Sequence, residues 1–191
     1  VKFLSYSFFE AVPIDTIDGF VEECLKEELH KGTLIRIDEI PNAEDLEIRN
    51  SEVKLLDADK YGELFKLVWK YALESNKNAY GFDISNIENC QFSVYDSSYK
   101  GKYDWHTDTS WANESLYDRK ISLIIQLSDP SEYEGGQFEV KDVALVEEER
   151  ELMNKKGSII TIPAFIEHRV TPVTKGRRLS LIAWIEGTKF R

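Results

Sequence analysis

Tyr103-Asp104-Trp105-His106-Thr107-Asp108 is the stretch from which the rest of this 191-residue chain is read. In an extended strand alternate side chains share a face, so His106 and Asp108 are expected to point the same way. One imidazole and one carboxylate on one face supply two ligands of a metal site. A third ligand from a distant strand completes a two-His, one-carboxylate set, which suits non-haem Fe(II) and leaves coordination positions open. The chain has three histidines, His30, His106 and His168. His168 is the candidate third ligand. His30, at the end of a predicted helix, reads as a cation favoured by the helix dipole, with no catalytic role.

Outward from this stretch the pattern is that of strands. From Tyr80 onward the apolar period is alternating, and it predicts strands over 87–96, 102–107, 120–128, 137–142, 158–162, 167–171 and 177–186. Turns are expected at 97–101, Asp129-Pro130-Ser131, Gly135-Gly136, Gly157 and Lys175-Gly176. Residues 144–154 read as a short acidic helix or loop between strands. Upstream the period is helical. Helices are predicted over 15–30 and 57–75, the second ended by Asn76-Lys77-Asn78, with a mixed segment at 33–50 that hints at strands around Pro41-Asn42. Helices first and strands afterwards define an α+β, mainly β domain spanning 1–191, with helical support over about 1–80 and a β core over about 81–191.

Strand parity separates two faces. Leu123, Ile125 and Leu127 oppose Ser122, Ile124 and Gln126; Phe92 and Val94 oppose Gln91, Ser93 and Tyr95. Leu179, Leu181, Ala183 and Ile185 oppose Arg178, Ser180, Ile182 and Trp184. Each strand thus has an apolar face to pack under helices and a mixed face, as in a barrel whose interior holds a polar ligand. Arg178 lies on the mixed face, where a guanidinium requires an anionic partner.

The net charge of −11, from 24 basic and 35 acidic residues, disfavours nucleic acid and anionic membrane surfaces as partners. Cys24 and Cys90 make no disulfide or metal pattern and fit a reducing compartment. With no apolar run of signal-peptide or membrane-spanning length, a cytoplasmic location is the expectation.

The residues resemble the Fe(II)- and 2-oxoglutarate-dependent oxygenases, specifically the prolyl 4-hydroxylase-like branch. The resemblance is carried by Tyr95, the stretch from Tyr103 to Asp108, Gly135-Gly136, and the run from Pro163 through His168 and Pro172-Val173 to Gly176 and Arg178-Leu179-Ser180. It covers roughly the C-terminal half, from about Gln91 to Glu186. It implies a double-stranded β-helix (jelly-roll) core with His106, Asp108 and His168 as catalytic Fe(II) ligands. Arg178 is implied to pair with the distal carboxylate of 2-oxoglutarate, with Tyr95, Ser180 and Gln126 also at the cosubstrate. Trp184 is expected to close the pocket, and Trp111, in the loop after the first ligands, to meet substrate. The implied reaction is O2-dependent hydroxylation of an unactivated C–H bond, releasing succinate and CO2, with ascorbate as a reductant. Prolyl 4-hydroxylation of a peptide or protein leads. Hydroxylation of another residue or a small metabolite is the rival, and a non-catalytic jelly-roll binding module is the reading from another class. One departure stands out: where the family has its common glycine this chain has Lys100, with Gly101 beside it, so a reshaped loop over 97–101 is expected.

Overall fold

In chain order, mixed helices and strands come first and a run built mostly of strands follows, and the two sheets draw strands from both parts. The computed structural model describes residues 1–33, 46–111, 115–143 and 146–190. The first part comprises β1 (Tyr6–Phe8), α1 (Ile14–Leu25), β2 (His30–Lys31), β3 (Arg49–Asn50), β4 (Glu52–Leu55) and α2 (Gly62–Ser75). The second comprises β5 (Asn86–Asp96), β6 (Lys102–His106), β7 (Tyr117–Gln126), β8 (Tyr133–Gly135), β9 (Phe138–Val140), α3 (Glu147–Asn154), β10 (Ile159–Pro163), β11 (His168–Val170) and β12 (Val173–Thr188).

The strands form two antiparallel sheets. The larger has the order β1-β10-β7-β12-β5-β4-β2, with β8 added along β12; the smaller has the order β3-β6-β11-β9. β12 lies between β5 and β7, pairing Arg178 with Tyr95 and Ser180 with both Ser93 and Gln126. That register sets the two faces of all three strands in phase. Phe92, Val94, Leu123, Ile125, Leu181, Ala183 and Ile185 are buried in one cluster with Ile17 and Cys24 of α1 and Val68 and Ala72 of α2. Burying each large aliphatic side chain contributes roughly 1.5–3 kcal/mol, so this layer is the main source of stability. The opposite, mixed face turns towards the smaller sheet, as the parity predicts.

Several boundaries differ from the sequence reading, each for a local reason. α1 stops at Leu25 because the N–H groups of Lys26 and Glu27 bond back to the carbonyls of Glu23 and Cys24, tightening the last turn. His30 is therefore not a helix-terminal cation; it sits in β2 opposite Val53. α2 starts late because the Asp57 carboxylate accepts the N–H of Asp59 and holds a turn there. The helix ends at Ser75 as predicted, but the chain winds on as a π-helical turn over Asn76–Tyr80 before stopping at Gly81, which has φ +70°. Lys175-Gly176 does not end a strand. It forms an irregularity inside the 16-residue β12, where Gly176 takes φ +67° and β8 pairs alongside.

The expected turn at 97–101 forms as a 3-10 turn over Ser97–Tyr99, followed by Lys100 at φ +50°. Gly135 and Gly136 both have positive φ and make the expected turn into β9. The acidic 144–154 stretch contains α3, with Ala144 and Leu145 outside the described residues. The hint of strands around Pro41-Asn42 also falls outside them. β1, β2, β4 and β8 were not foreseen. Among the described residues, no helix is long and apolar enough to cross a membrane.

Candidate active site

β6 and β11 pair so that His106 faces His168 across the smaller sheet. Asp108 is not part of the same regular strand as His106, since β6 ends at His106. The N–H groups of Asp108 and Thr109 both donate to the carbonyl of Ala164, at 2.8 and 3.1 Å, and this anchor brings the carboxylate back between the imidazoles. Asp108 Oδ1 lies 3.8 Å from His106 Nε2, and Oδ2 lies 3.4 Å from His168 Nε2. One ligand atom from each residue falls within 4.8 Å of the others. Ser122 Oγ donates to Asp108 Oδ2 at 2.6 Å.

The imidazoles are oriented for lone-pair donation. His106 Nδ1 donates to the carbonyl of Asp104 at 2.7 Å and His168 Nδ1 to that of Ile166 at 2.9 Å. A carbonyl only accepts, so the proton is on Nδ1 and each Nε2 is free to bind a cation. Burial, reinforced by the neighbouring His168, pushes His106 down to about 4, so it is neutral at physiological pH. Burial opposes ionisation of Asp108, but His168 and His106 beside it and the Ser122 hydroxyl hold its carboxyl well below the usual range. Burial likewise disfavours the charged form of His168, yet the adjacent Asp108 carboxylate draws its pKa up. His168 Nε2 is buried without a hydrogen-bond partner. Two nitrogen lone pairs, one carboxylate and an unsatisfied buried nitrogen fit a divalent metal.

Arg178 is the largest fully buried side chain, 1% exposed. Its Nη2 donates to Gln126 Oε1 at 2.9 Å and its Nη1 to Ser180 Oγ at 3.4 Å, and the guanidinium lies 5.6 Å from the Tyr95 ring. Gly136 makes room beside it: a Cβ there would meet Val173 Cγ2 at 2.8 Å and Arg178 Cδ at 3.1 Å. No carboxylate among the described residues pairs with Arg178, so the anionic partner expected from sequence is not found among them. A buried guanidinium without a counter-charge is costly, and an anionic ligand entering the cleft would supply one.

The cleft is lined by Tyr95, His106, Asp108, His168, Arg178, Ser180 and Trp184, together with Gln91, Ser93, Ile124 and Ile182 of the mixed faces. Gln126 reaches it through Arg178. Burial raises the Tyr95 hydroxyl, keeping it protonated. Trp111 is not in the cleft. It is 65% exposed and leans on Phe190. Glu167 points outward to pair with Lys141. Arg49, Ser122 as the Asp108 donor, Tyr103 stacked 3.4 Å from His106, and Phe138 beside His168 were given no site role from sequence. The mixed-face parity contained the signal for Ser122; nothing local marked Arg49.

A mainly β fold whose cleft gathers two imidazoles, one carboxylate and a buried arginine suits a divalent metal with an anionic ligand beside it. A family model described as the 2OG-Fe(II) oxygenase superfamily matches residues 90–186, half of the sequence, and the chain belongs to that family. Its residues are similar to a PKHD-type hydroxylase of Idiomarina loihiensis, 38% identical over 84 residues, covering 44% of this chain and 36% of that protein. A PKHD-type hydroxylase of Thermosynechococcus vestitus is 40% identical over 86 residues, covering 44% and 37%. The matched region thus spans little more than a third of these relatives' length.

Among solved structures, a Pseudomonas putida prolyl-4-hydroxylase superposes with a TM-score of 0.71 at 18% identity, covering 97% of this chain and 94% of its own. A viral collagen prolyl hydroxylase from Paramecium bursaria Chlorella virus-1, solved with 2-oxoglutarate, gives 0.73 at 18% identity and 97% coverage of both. The fold is the double-stranded β-helix that the resemblance implied.

Proposed function

We propose that this chain is an Fe(II)- and 2-oxoglutarate-dependent hydroxylase acting on a proline of a peptide or protein. The observation that carries the proposal is the convergence of unsatisfied buried groups on one cleft. His168 Nε2, Gln126 Nε2 and Trp184 Nε1 are the buried side-chain atoms without a partner among the described residues, and all belong to this site or its support. Groups of this kind cost roughly 1–3 kcal/mol each unless a ligand satisfies them.

In this reading His106, Asp108 and His168 hold Fe(II), and Arg178 takes the distal carboxylate of 2-oxoglutarate with support from Gln126, Ser180 and Tyr95. Bound iron with this cosubstrate and O2 supplies the oxidising chemistry, which yields succinate, CO2 and a hydroxylated C–H bond. The residues of the chain do the positioning. Ser122 fixes the rotamer of Asp108, the Asp104 and Ile166 carbonyls fix the imidazoles, and the apolar Ile124 and Ile182 exclude water from the interior. Trp184 offers an indole N–H at the cleft wall. Ascorbate fits as the external reductant that keeps the iron ferrous.

Support for a proline substrate comes from the solved structures of like fold, one of which, from Trichoplax adhaerens, is a prolyl hydroxylase in complex with a hypoxia inducible factor peptide fragment. Hydroxylation of another residue or of a small metabolite uses the same site. Anaerobic titration of metal-free protein with Fe(II) and 2-oxoglutarate tests the reading through the weak visible charge-transfer band of a chelated cosubstrate. Wild type is expected to develop the band and Asp108→Ala to lose it along with succinate production. A folded, iron-binding wild type without the band points instead to a jelly-roll binding module. Succinate release stimulated by proline-containing peptides then tests the substrate.

A further inference from the structure

A second buried guanidinium opens on the same cleft. Arg49 is 7% exposed and lines the space between the two sheets. β3 pairs it with Tyr103 of β6, and its guanidinium stacks 4.7 Å from the Tyr103 ring, which in turn stacks on His106. Nε donates to Ser51 Oγ at 3.0 Å and Nη1 to the Thr33 carbonyl at 2.9 Å. Nη2 makes no hydrogen bond among the described residues, and no carboxylate there pairs with Arg49. Gly32 leaves space for this arrangement, since a Cβ on it would come within 2.5 Å of Arg49 Nε.

The charges of the cleft distinguish Arg49 from its neighbours. Arg119 is neutralised by Glu88 in a two-pronged pair of 2.6 and 2.7 Å. With Fe(II) and dianionic 2-oxoglutarate bound as proposed above, Asp108 and the cosubstrate balance the metal and Arg178. Among the described residues Arg49 is left as one positive charge without a carboxylate partner, desolvated, oriented by Ser51 and Thr33, and with Nη2 making no hydrogen bond. A carboxylate is the group whose charge and geometry match a guanidinium in that state.

We propose that Arg49 binds a carboxylate of the primary substrate, so that the substrate is a carboxylate-bearing amino acid or peptide. The inference rests on the hydroxylase reading and narrows its substrate class. The carboxylate comes either from the free α-carboxyl of an amino acid or from an acidic side chain next to the target residue in a peptide; the chemistry at Arg49 is the same.

The test uses the full chain loaded anaerobically with Mn(II), with and without 2-oxoglutarate, and reads binding by calorimetry. The probes are matched pairs: L-proline against L-prolinamide, and a proline tripeptide with Glu beside the proline against the same peptide with Gln. One carboxylate probe is expected to bind at least about tenfold more tightly than its amide, the scale of one charge-assisted hydrogen bond. The pair that shows the preference identifies the source. Arg49→Gln is expected to erase the preference and Arg49→Lys to keep part of it. The proposal is overturned if neither carboxylate outbinds its amide in wild type, or if the preference persists in Arg49→Gln. Should Arg49→Gln fail to fold, an undiminished preference in Arg49→Lys overturns it. A wild type that does not bind 2-oxoglutarate refutes the hydroxylase reading, whereas cosubstrate binding without carboxylate preference refutes the role of Arg49 alone.

Discussion

Ser122 touches Asp108 through one 2.6 Å hydrogen bond, and that bond fixes which carboxylate oxygen remains available to a cation. A ligand whose orientation depends on a neighbour loses affinity when the neighbour is removed, typically about 10–100-fold. Ser122→Ala should therefore keep the fold and weaken Mn(II) binding by at least about tenfold, measured by competitive titration. Unchanged affinity would mean that the Ala164 carbonyl anchor alone positions Asp108. Arg178 makes a second residue-scale prediction. Its planar donors suit a carboxylate better than a point charge does, so Arg178→Lys should weaken 2-oxoglutarate binding by about tenfold or more with metal binding retained. Equal cosubstrate affinity in the two proteins would remove Arg178 from the site. That the two histidines, Asp108, Arg178 and Tyr95 would meet at one cleft was legible because each falls at a fixed point of a long strand or a dense motif. Arg49 was not, because a two-residue strand has no period and only its pairing with β6 carries it to the cleft.

The turn between β5 and β6 sets how Tyr95 and His106 stand relative to each other. It closes through Gly101, where a Cβ would lie 2.6 Å from Asp96 N and 2.7 Å from Tyr95 Cα. Those neighbours are backbone atoms and have no rotamer by which to give way. Gly101→Ala should therefore force the strands apart and destabilise the protein by about 1–3 kcal/mol. Thermal unfolding followed by circular dichroism should show a melting temperature lowered by several degrees, and the role proposed for Tyr95 adds weaker 2-oxoglutarate binding as an expected outcome. An unchanged melting temperature would show that the turn relaxes freely. The glycine shift noted in the sequence is thus a packing requirement, met here by Gly101 with Lys100 at φ +50° beside it. The sheet faces were readable in β5, β7 and β12 because those strands are long and bury one side completely. β1, β2 and β4 span two to four residues, too few for alternation to register, and are held by partners distant in sequence. Lys175-Gly176 misled for the opposite reason: a turn-forming pair sits inside a strand whose neighbours enforce continuity.

The helical layer is joined to the larger sheet by packing and by ion pairs, among them a junction centred on Glu27, just past α1. Glu27 Oε2 lies 2.5 Å from Lys54 Nζ of β4, and Oε1 lies 2.7 Å from Lys60 Nζ and accepts the Tyr61 hydroxyl at 2.8 Å before α2. Three segments thus converge on one carboxylate. Hydrogen bonds from Lys54, Lys60 and Tyr61 lower its pKa from 4.5 to about 2. A carboxylate whose folded pKa is depressed binds fewer protons folded than unfolded, so its contribution is fully present above pH 4.5 and disappears as pH falls through about 2. At neutral pH, Glu27→Gln should unfold at lower urea than wild type. Between pH 4.5 and 2 the wild-type midpoint should fall more steeply than that of the variant, and the two curves should approach each other. Asp96 and Asp129, whose pKa values are also lowered by local hydrogen bonds, act in the same direction in both proteins and cancel from the comparison. A gap that stays constant down to pH 2 would assign the effect of Glu27 to packing. No gap at neutral pH would mean that the apolar layer alone holds the helices to the sheet.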